Sequence, residues 1–329
     1  MTIKNIDLVD LASGYWKSFA IGAAVELNIF SELSENEQDT ETLSKNISCA
    51  PLHLEALLNS LCGMGLLDKK NGNFFLHPAQ KAFLDPKSPD SMLGAFAFNQ
   101  DLAGLWMKLP ECIRSGKPVL PDNPHLGADP DRTRRFVEGM HSRAGLMARN
   151  LLPCLHPPSG SKVLDVGGGP GTFSLKLAER DPSLLITVLD LPPVVKAAAE
   201  IHAGNPALKC ITFQGGDYHS CDYPQEQDTV LYCGALHQEP DNGLDALLEK
   251  MKAALKPGGQ LVVVDLMLDP DRTTPVYSSL FDINMMLMRP SSKVHTSHEL
   301  MNRLKSCGFK NLTVSDIPHT PYRRVQGTK

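Results

Sequence analysis

The fold of this chain is decided at Val163-Leu164-Asp165-Val166-Gly167-Gly168-Gly169-Pro170-Gly171. Its apolar start predicts a short buried strand, its glycines predict a tight turn, and residues 172–180 can continue as a helix. Glycines adopt positive φ angles and let a ligand approach the backbone closely. In a strand–turn–helix unit the ligand lies beyond the carboxyl end of the strand. We therefore expect Asp165, Gly167 and Gly169 to line a binding site.

The acidic residue before the turn indicates the kind of ligand. A dinucleotide-binding loop reads G-x-G-x-x-G, whereas here the glycines stand at 167, 168, 169 and 171. Pro170 also removes a backbone donor. A carboxylate before the turn suits a cation, such as the amino group or sulfonium region of S-adenosylmethionine, better than a pyrophosphate. The spacing disfavours a nicotinamide dehydrogenase.

Bulk properties exclude several classes of protein. The net charge of −5 argues against a general polyanion binder. The eight cysteines contain no C-x-x-C pair, which is typical of reduced thiols rather than of disulfides or a zinc site. Early charges at Lys4, Asp7 and Asp10 leave no room for a signal peptide. Because every 18-residue window carries charge, we expect no membrane span. His295 and His298 lack a third ligand at suitable spacing, so we expect no metal. The unpaired cysteines predict a cytoplasmic location.

The C-terminal part alternates strand and helix patterns. The predicted strands are 162–166, 185–190, 209–214, 228–233, 260–267, 311–316 and 323–328. The predicted helices are 172–180, 192–203, 241–255 and 296–307. Such alternation predicts an α/β fold with a parallel sheet covered by helices on both faces. The last two strands have no helix between them, so we expect that pair to be antiparallel.

The N-terminal third has a different pattern. Helices are predicted at 7–24, 24–33, 40–46 and 51–61, and a hairpin at 66–68 and 74–76. Helices followed by a hairpin suggest a winged helix, which raises the possibility of DNA binding through 51–61. That helix carries Glu55 but no lysine or arginine, so it cannot neutralise phosphates. We predict instead no nucleic-acid partner and a homodimer formed through apolar side chains, among them Trp16, Phe19, Leu27, Leu57 and Leu61.

A series of motifs follows the opening stretch in a fixed order. These are Leu164-Asp165-Val166-Gly167-Gly168-Gly169, Asp190-Leu191-Pro192-Pro193-Val194, Gly216-Asp217, Leu236-His237, Lys256-Pro257-Gly258-Gly259, Phe281-Asp282-Ile283-Asn284-Met285, His295-Thr296 and Ser306-Cys307-Gly308-Phe309. The ordered set resembles the small-molecule O-methyltransferases of the caffeate and hydroxyindole (acetylserotonin) type, including bacterial relatives. The resemblance implies a winged-helix dimerisation domain over 1–100 and a class I methyltransferase domain, Rossmann-like with seven strands, over 101–329. It also implies S-adenosylmethionine as the cofactor.

The resemblance assigns cofactor contacts to residues after successive strands. Asp190 is expected to accept the ribose hydroxyls, although it could also be a cap for the helix that follows. Asp217 is expected to meet the adenine amino group, and Tyr218 or Leu191 to pack on the ring. The cofactor positions assigned after the second, third and fourth strands are Asp190, Leu191, Gly216, Asp217, Tyr218, Cys233 and Gly234.

The predicted catalytic residue is His237, just past the fourth strand, which matches the general base of the family. An imidazole can be neutral near physiological pH and accept a hydroxyl proton. Asp265 stands where plant members carry a supporting glutamate and is expected to orient His237. The sequence departs from the plant pattern in having Asp rather than Glu at 265, Val294 where a second glutamate is expected, and Gln238-Glu239 in place of Asp-Trp.

The methyl acceptor is expected to bind between two helical segments, 131–152 and 281–288. Side chains at three- and four-residue spacing share one helix face there, although such a stripe can also belong to the core. The acceptor contacts predicted in these segments are Phe136, Met140, Phe281, Asn284, Met285 and Met288, and the resemblance to the family adds Trp106 and His141. The function expected is methyl transfer to a hydroxyl of a small aromatic molecule. The alternatives are S-, N- or C-methylation on the same fold, or a winged-helix regulator that senses S-adenosylmethionine.

Overall fold

A computed structural model describes residues 5–120, 129–289 and 292–329 of the protein. The chain divides into two compact units, residues 1–103 and 104–329. The cut falls within one helix, Leu93–Trp106, close to the domain boundary that we predicted after residue 100.

The N-terminal unit consists of short helices and one hairpin. Its elements are α1 (Asn5–Ala12), α2 (Tyr15–Glu26), α3 (Ile29–Glu35), α4 (Thr40–Asn46), α5 (Pro51–Gly63), β1 (Leu67–Lys70), β2 (Asn73–Leu76), α6 (Lys81–Leu84) and most of α7 (Leu93–Trp106). The predicted single helix over 7–24 is wrong, since it is interrupted at Ser13-Gly14. The Ser13 hydroxyl donates to the Val9 carbonyl at 2.8 Å, and α2 starts anew beyond the glycine.

Packing within this unit separates core residues from surface residues. Leu58 and Leu61 of α5 are fully buried in a cluster with Phe30, Leu43 and Phe74, so the prediction of Leu61 as a dimer contact is wrong. Leu27 and Leu57 also pack against that cluster. The aromatic side chains of α2 do not, since Trp16 is 64% and Phe19 49% exposed. Most of the exposed large apolar side chains of this unit that the structure describes are therefore on α1 and α2, with Leu52 of α5 in addition.

The C-terminal unit is built on one seven-stranded sheet with the order β5-β4-β3-β6-β7-β9-β8. Its strands are β3 (Lys162–Val166), β4 (Leu185–Asp190), β5 (Ile211–Gly215), β6 (Gln227–Cys233), β7 (Leu255–Leu266), β8 (Lys310–Asp316) and β9 (Tyr322–Thr328). The first five are parallel, and β9 runs antiparallel to both β7 and β8. The mostly parallel sheet with an antiparallel last pair is confirmed. Strand order reverses between β3 and β6, where ligands bind in such sheets.

Helices cover both faces of this sheet, as predicted. They are α8 (Leu109–Ser115), α9 (Pro130–Leu151), α10 (Thr172–Arg180), α11 (Pro192–Ile201), α12 (Asp241–Ala254), α13 (Val276–Met288) and α14 (Ser297–Ser306). On one face, α12 and α14 pack on the sheet through residues such as Leu247 and Leu304. On the other, α9 and α10 do so through residues such as Leu151 and Leu177.

Two strands start more than one residue away from the predicted position. Residues 206–210 form a 3-10 turn, so β5 starts at Ile211 rather than at 209. β7 starts at Leu255 because that residue already pairs with Gln227 before the register shifts. No helix in the described ranges is long and apolar enough to cross a membrane.

Candidate active site

The glycine turn between β3 and α10 packs directly on the end of its own strand. Gly167 and Gly169 have φ angles of 64° and 55°, in the left-handed region that favours glycine. A Cβ on Gly168 would lie 2.8 Å from Val188 Cγ1 and 2.9 Å from the Asp165 carboxyl group. A Cβ on Gly169 would meet nothing within 4 Å. The turn is therefore closed on its inner side and open on its outer side.

Asp165 lies beneath this turn as a buried and incompletely bonded acid. Its Oδ2 atom accepts a 2.6 Å hydrogen bond from the Ser174 hydroxyl, while Oδ1 has no partner among the described residues. Burial raises the pKa of Asp165 to about 7, and the nearby Asp190 charge adds to this. A positively charged ligand at the turn would stabilise the ionised form. The site therefore fits a cationic group. The hydrogen bond from Ser174 to Asp165 was not predicted from the sequence.

Asp190 ties the end of β4 to the glycine turn. One carboxylate oxygen accepts from the Gly169 amide at 2.7 Å and the other from the Leu191 amide at 2.7 Å. The side chain does not cap α11, since that helix has no side-chain cap hydrogen bond, so the cap alternative is wrong. Burial raises the pKa of Asp190, although both backbone bonds oppose the shift. Its oxygens retain lone pairs that can accept ligand hydroxyls.

The loop after β5 brings further predicted cofactor residues to the same edge. The amide of Gly216 donates to the Asp190 carbonyl at 2.9 Å. Asp217 is exposed, and its Oδ1 atom accepts from the His219 amide at 2.9 Å. The Tyr218 ring reaches the glycine turn, because a Cβ on Gly167 would lie 3.5 Å from its Cε1 atom. The loop after β5 and the glycine turn are thus neighbours, as the predicted site requires.

Cys233 and Gly234 end β6 on the other side of β3. Gly234 has a φ angle of 73°, and a Cβ there would meet nothing within 4 Å. Burial raises the pKa of the Cys233 thiol, and the neighbouring carboxylates of Asp165 and Asp265 add to the effect. Gly234 therefore faces open space, as Gly169 does, while Cys233 is a neutral thiol in the core.

His237 and Asp265 form a hydrogen-bonded pair at the carboxyl edge of the sheet. His237 lies in the 3-10 turn Leu236–Gln238 after β6, and its Nδ1 atom is 2.8 Å from Asp265 Oδ1. Asp265, on β7, is fully buried and also accepts from the backbone amides of His237 (3.2 Å) and Leu266 (2.7 Å). Because a carboxylate only accepts, the proton must lie on Nδ1. Nε2 is then left as a basic lone pair.

An aromatic wall stands beside this imidazole. The Phe281 ring is nearly perpendicular to the His237 ring, with centroids 4.9 Å apart. One turn further along α13, Asn284 Oδ1 accepts from the Trp106 indole at 3.0 Å. Met285 is buried on the same helix face as Phe281, and Met288 is partly buried one turn on. The structure thus places Phe281 beside the base, and Trp106 on Asn284 one turn further along the same helix.

The α9 residues have different surroundings. Phe136 packs with Val194 of α11, and Met140 is partly buried one turn later. The Nδ1 atom of His141 is 2.9 Å from the Thr172 hydroxyl at the start of α10. Burial lowers the pKa of His141 to about 4, so its ring is neutral. Phe136 and His141 therefore pack on α11 and α10 in this structure, and the acceptor role of α9 stays a prediction.

His202 is a residue that the sequence analysis missed. It follows α11, is buried, and its Nε2 atom is 2.8 Å from the Pro170 carbonyl of the glycine turn. Its ring lies 4.9 Å from that of His141. A histidine after an amphipathic helix carries no local signal of this contact, because the contact depends on how α11 packs.

Val294, where the resemblance implies a second glutamate, is buried and held through its backbone. This residue is fully buried, its amide donates to Asp282 Oδ1 at 2.7 Å, and its carbonyl accepts from the Arg272 guanidinium at 2.8 Å. Its backbone is therefore held, and Asp265 is the carboxylate bonded to His237. No group of three or more histidine, cysteine or acidic side chains that could hold a metal ion occurs in the described part of the chain.

Two family models and several known proteins match this chain. The family model of an O-methyltransferase domain matches residues 123–310, and that of an O-methyltransferase dimerisation domain matches residues 9–85. The chain is 28% identical over 305 residues to a 3-hydroxy-5-methyl-1-naphthoate 3-O-methyltransferase of Streptomyces sahachiroi, covering 92% of this chain and 88% of the relative. It is 25% identical to acetylserotonin O-methyltransferase of Macaca mulatta, covering 92% of each. The solved structure of human N-acetylserotonin methyltransferase in complex with SAM has the same fold, with a TM-score of 0.88, 24% identity and coverage of 98% and 96%.

Proposed function

This chain belongs to the O-methyltransferase family, and we propose that its acceptor is a hydroxyl group of a small aromatic molecule, with His237 as the general base. The methyl donor is S-adenosylmethionine, which supplies a methyl group already bonded to a good leaving group, the sulfonium sulfur. The observation that carries the proposal is the 2.8 Å contact between His237 Nδ1 and the buried Asp265 carboxylate.

The proposed role of the dyad is to move one proton. The acceptor hydroxyl gives its proton to His237 Nε2 as its oxygen takes the methyl group, and the imidazolium is stabilised by Asp265. Two backbone amides hold that carboxylate, so the ring keeps one orientation and one tautomer. General-base catalysis of this kind contributes roughly 10²–10⁴-fold, and alignment of the reacting groups supplies a larger part, about 7–11 kcal/mol.

The proposed cofactor contacts follow from the donors and acceptors at the sheet edge. Asp190 has lone pairs for ribose hydroxyls, and Tyr218 offers a ring beside the glycine turn on which adenine can pack. Asp165, whose pKa burial raises to about 7, favours a positive charge above the turn. The open outer sides of Gly169 and Gly234 leave space for the ligand to approach the backbone.

The proposed preference for an aromatic acceptor rests on the aromatic side chains of Phe281 and Trp106. Phe281 stands perpendicular to the imidazole at 4.9 Å, and the indole of Trp106 is held in place by Asn284 at 3.0 Å. Such rings give apolar faces against which a planar acceptor can pack in an edge-to-face or offset arrangement. Met285 and Met288 add polarisable side chains that adapt to irregular ring systems.

We further propose that the protein is a homodimer formed through its N-terminal unit, which we interpret as a winged helix. The match to a dimerisation domain covers this unit, and the exposed apolar residues Trp16 and Phe19 lie within it. Exposed apolar patches are typical of interaction surfaces. The regulator alternative is not favoured, because the matched families are those of O-methyltransferases.

The test is product analysis with His237→Ala and a matched histidine control. Wild-type protein is incubated with S-adenosylmethionine and a panel of phenols, thiols and amines, and products are identified by mass and fragmentation. We expect methylated phenols, a loss of roughly 10²–10⁴-fold in His237→Ala, and unchanged cofactor affinity. His298→Ala, exposed on α14 of the same unit, serves as the control. Activity confined to thiols or amines, or undiminished turnover without His237, would refute the proposal.

A further inference from the structure

A buried carboxylate follows directly on the turn that carries His237. Glu239 is only 1% exposed, although glutamate is rarely found so deep in a protein. Its amide donates to the Leu236 carbonyl at 3.0 Å, and its carbonyl is 3.0 Å from His295 Nε2. Hydrogen bonds to its amide and to its carbonyl therefore fix the backbone of Glu239, and with it the position from which the side chain extends.

Two phenols satisfy one oxygen of this carboxylate. Oε1 of Glu239 accepts from the Tyr218 hydroxyl at 2.7 Å and from the Tyr232 hydroxyl at 3.2 Å. Burial, followed by the charge of Glu239, raises the pKa of Tyr218, so its hydroxyl stays protonated and keeps donating. Tyr232 is fully buried in β6, whereas Tyr218 lies in the loop after β5. The carboxylate therefore joins the core of the sheet to a loop at its edge.

The other oxygen of Glu239 lies next to a histidine. Oε2 has no hydrogen bond in the described part of the chain, but His219 Nε2 is 3.3 Å away. The His219 ring also packs against the Tyr218 ring, with centroids 4.7 Å apart. His219 thus covers both the second carboxylate oxygen and one side of the phenol.

Tyr218 is held at both of its ends. Its carbonyl accepts from the Tyr223 hydroxyl at 2.8 Å and from the Lys250 ammonium at 3.0 Å. Its ring edge lies against the glycine turn, 3.5 Å from where a Cβ on Gly167 would be. The backbone is held by these two donors and His219 packs on one side of the ring, while the hydrogen bond to Glu239 holds the hydroxyl end.

We propose that Glu239 is a positioning residue for S-adenosylmethionine, and that it holds the Tyr218 ring in the orientation on which adenine packs. The inference rests on the proposed function, specifically on the contact between adenine and Tyr218. Without the carboxylate the phenol loses its anchor, and the ring must be ordered when the ligand binds. Ordering one such side chain weakens binding by about three- to tenfold.

The first experiment separates the adenosine half of the ligand from the rest. Affinities of S-adenosylhomocysteine and 5′-methylthioadenosine are measured by calorimetry for wild type, Glu239→Ala and Glu239→Gln. We expect Glu239→Ala to bind both ligands about three- to tenfold more weakly, and Glu239→Gln, which keeps the acceptor oxygen, to stay within about twofold. At saturating cofactor, kcat of Glu239→Ala should stay within about threefold, since the contact of Asp265 with His237 does not pass through Glu239. A much larger loss for S-adenosylhomocysteine than for methylthioadenosine would indicate damage to the glycine turn and overturn the proposal.

The second experiment uses the two tyrosines as a matched pair. Tyr218→Phe should lose as much affinity as Glu239→Ala, and the double variant should lose no more than either single variant. Tyr232→Phe removes a hydroxyl from the same carboxylate oxygen without touching the glycine turn, and should stay within about twofold of wild type. Equal losses in both Tyr→Phe variants, or wild-type affinity in Tyr218→Phe, would overturn the proposal. If wild type binds neither ligand, the proposed function itself fails; if wild type binds and methylates while the Glu239 variants bind equally well, only the positioning role fails.

Discussion

Replacement of Asp265 by asparagine tests the central pair most directly. The carboxylate accepts three hydrogen bonds, one from the His237 ring and two from backbone amides. Asparagine keeps the shape but has one oxygen and one NH₂ group, so it cannot accept at both positions. In one arrangement the amide oxygen faces the His237 ring and the NH₂ group faces a backbone N–H. In the other arrangement the NH₂ group donates to Nδ1 of His237, so the ring proton must lie on Nε2. Both arrangements weaken the base.

The expected loss can be worked out from this geometry. A hydrogen bond to a charged group contributes about 1.5–3 kcal/mol, and each 1.36 kcal/mol corresponds to tenfold in rate. If that bond stabilises the imidazolium mainly in the transition state, kcat should fall about 10- to 150-fold. The fall should be smaller than in His237→Ala, because part of the proton transfer remains available.

The assay is single-turnover methyl transfer at saturating S-adenosylmethionine, with the cofactor affinity measured separately. Asp316→Asn is the matched control, since this aspartate lies on the edge strand β8 with its side chain 81% exposed, and it should leave kcat unchanged. An Asp265→Asn protein that is folded, binds cofactor and turns over at the wild-type rate would refute the orientation argument, even if His237→Ala were inactive.

Three further predictions follow from the glycine turn, the buried acid and the N-terminal surface. Gly168→Ala should lower the free energy of unfolding by about 1–3 kcal/mol, because the added Cβ would lie 2.8–2.9 Å from its neighbours. Gly243→Ala, at a position in α12 with open space around it, should raise the free energy of unfolding by about 0.5–1 kcal/mol. Thermal denaturation compares the two variants, and equal effects would contradict the packing of the glycine turn. In the ligand-free fold Asp165 keeps a proton up to its pKa of about 7. In the unfolded chain it loses that proton at the ordinary, lower pKa of an aspartate. Stability should therefore fall as the pH rises between these two pKa values. Asp165→Asn should reduce that fall in urea titrations at pH 5 and pH 8 and should weaken cofactor binding, while the raised pKa of Asp190 leaves part of the fall in place. An unchanged pH dependence would contradict the buried-acid argument. Trp16→Glu should convert the proposed dimer to a monomer in analytical ultracentrifugation, and a dimer that persists in this variant would contradict an interface through Trp16.

Local patterns in the sequence were sufficient for the architecture of the C-terminal unit. Alternating strand and helix periodicity predicts a covered parallel sheet, and the missing helix before residue 323 predicts the antiparallel last pair. Both are confirmed by the order and direction of the strands. Such signals are local because glycine, proline and apolar spacing act within a few residues. The same reasoning failed at Ser13-Gly14, where the Gly14 amide bonds the Leu11 carbonyl three residues back at 3.4 Å and the helix stops before α2 begins.

The partners of the functional side chains were decided only by the tertiary structure. His237 and Asp265 are 28 positions apart, and Trp106 and Asn284 are 178 apart. The family resemblance pointed to the first pair, but no spacing in the chain predicts the second pair. The choice between a helix cap and an anchor for the glycine turn at Asp190 likewise depended on a neighbouring strand. Local sequence determines which elements form, but hydrogen bonds between distant residues depend on how those elements pack side by side.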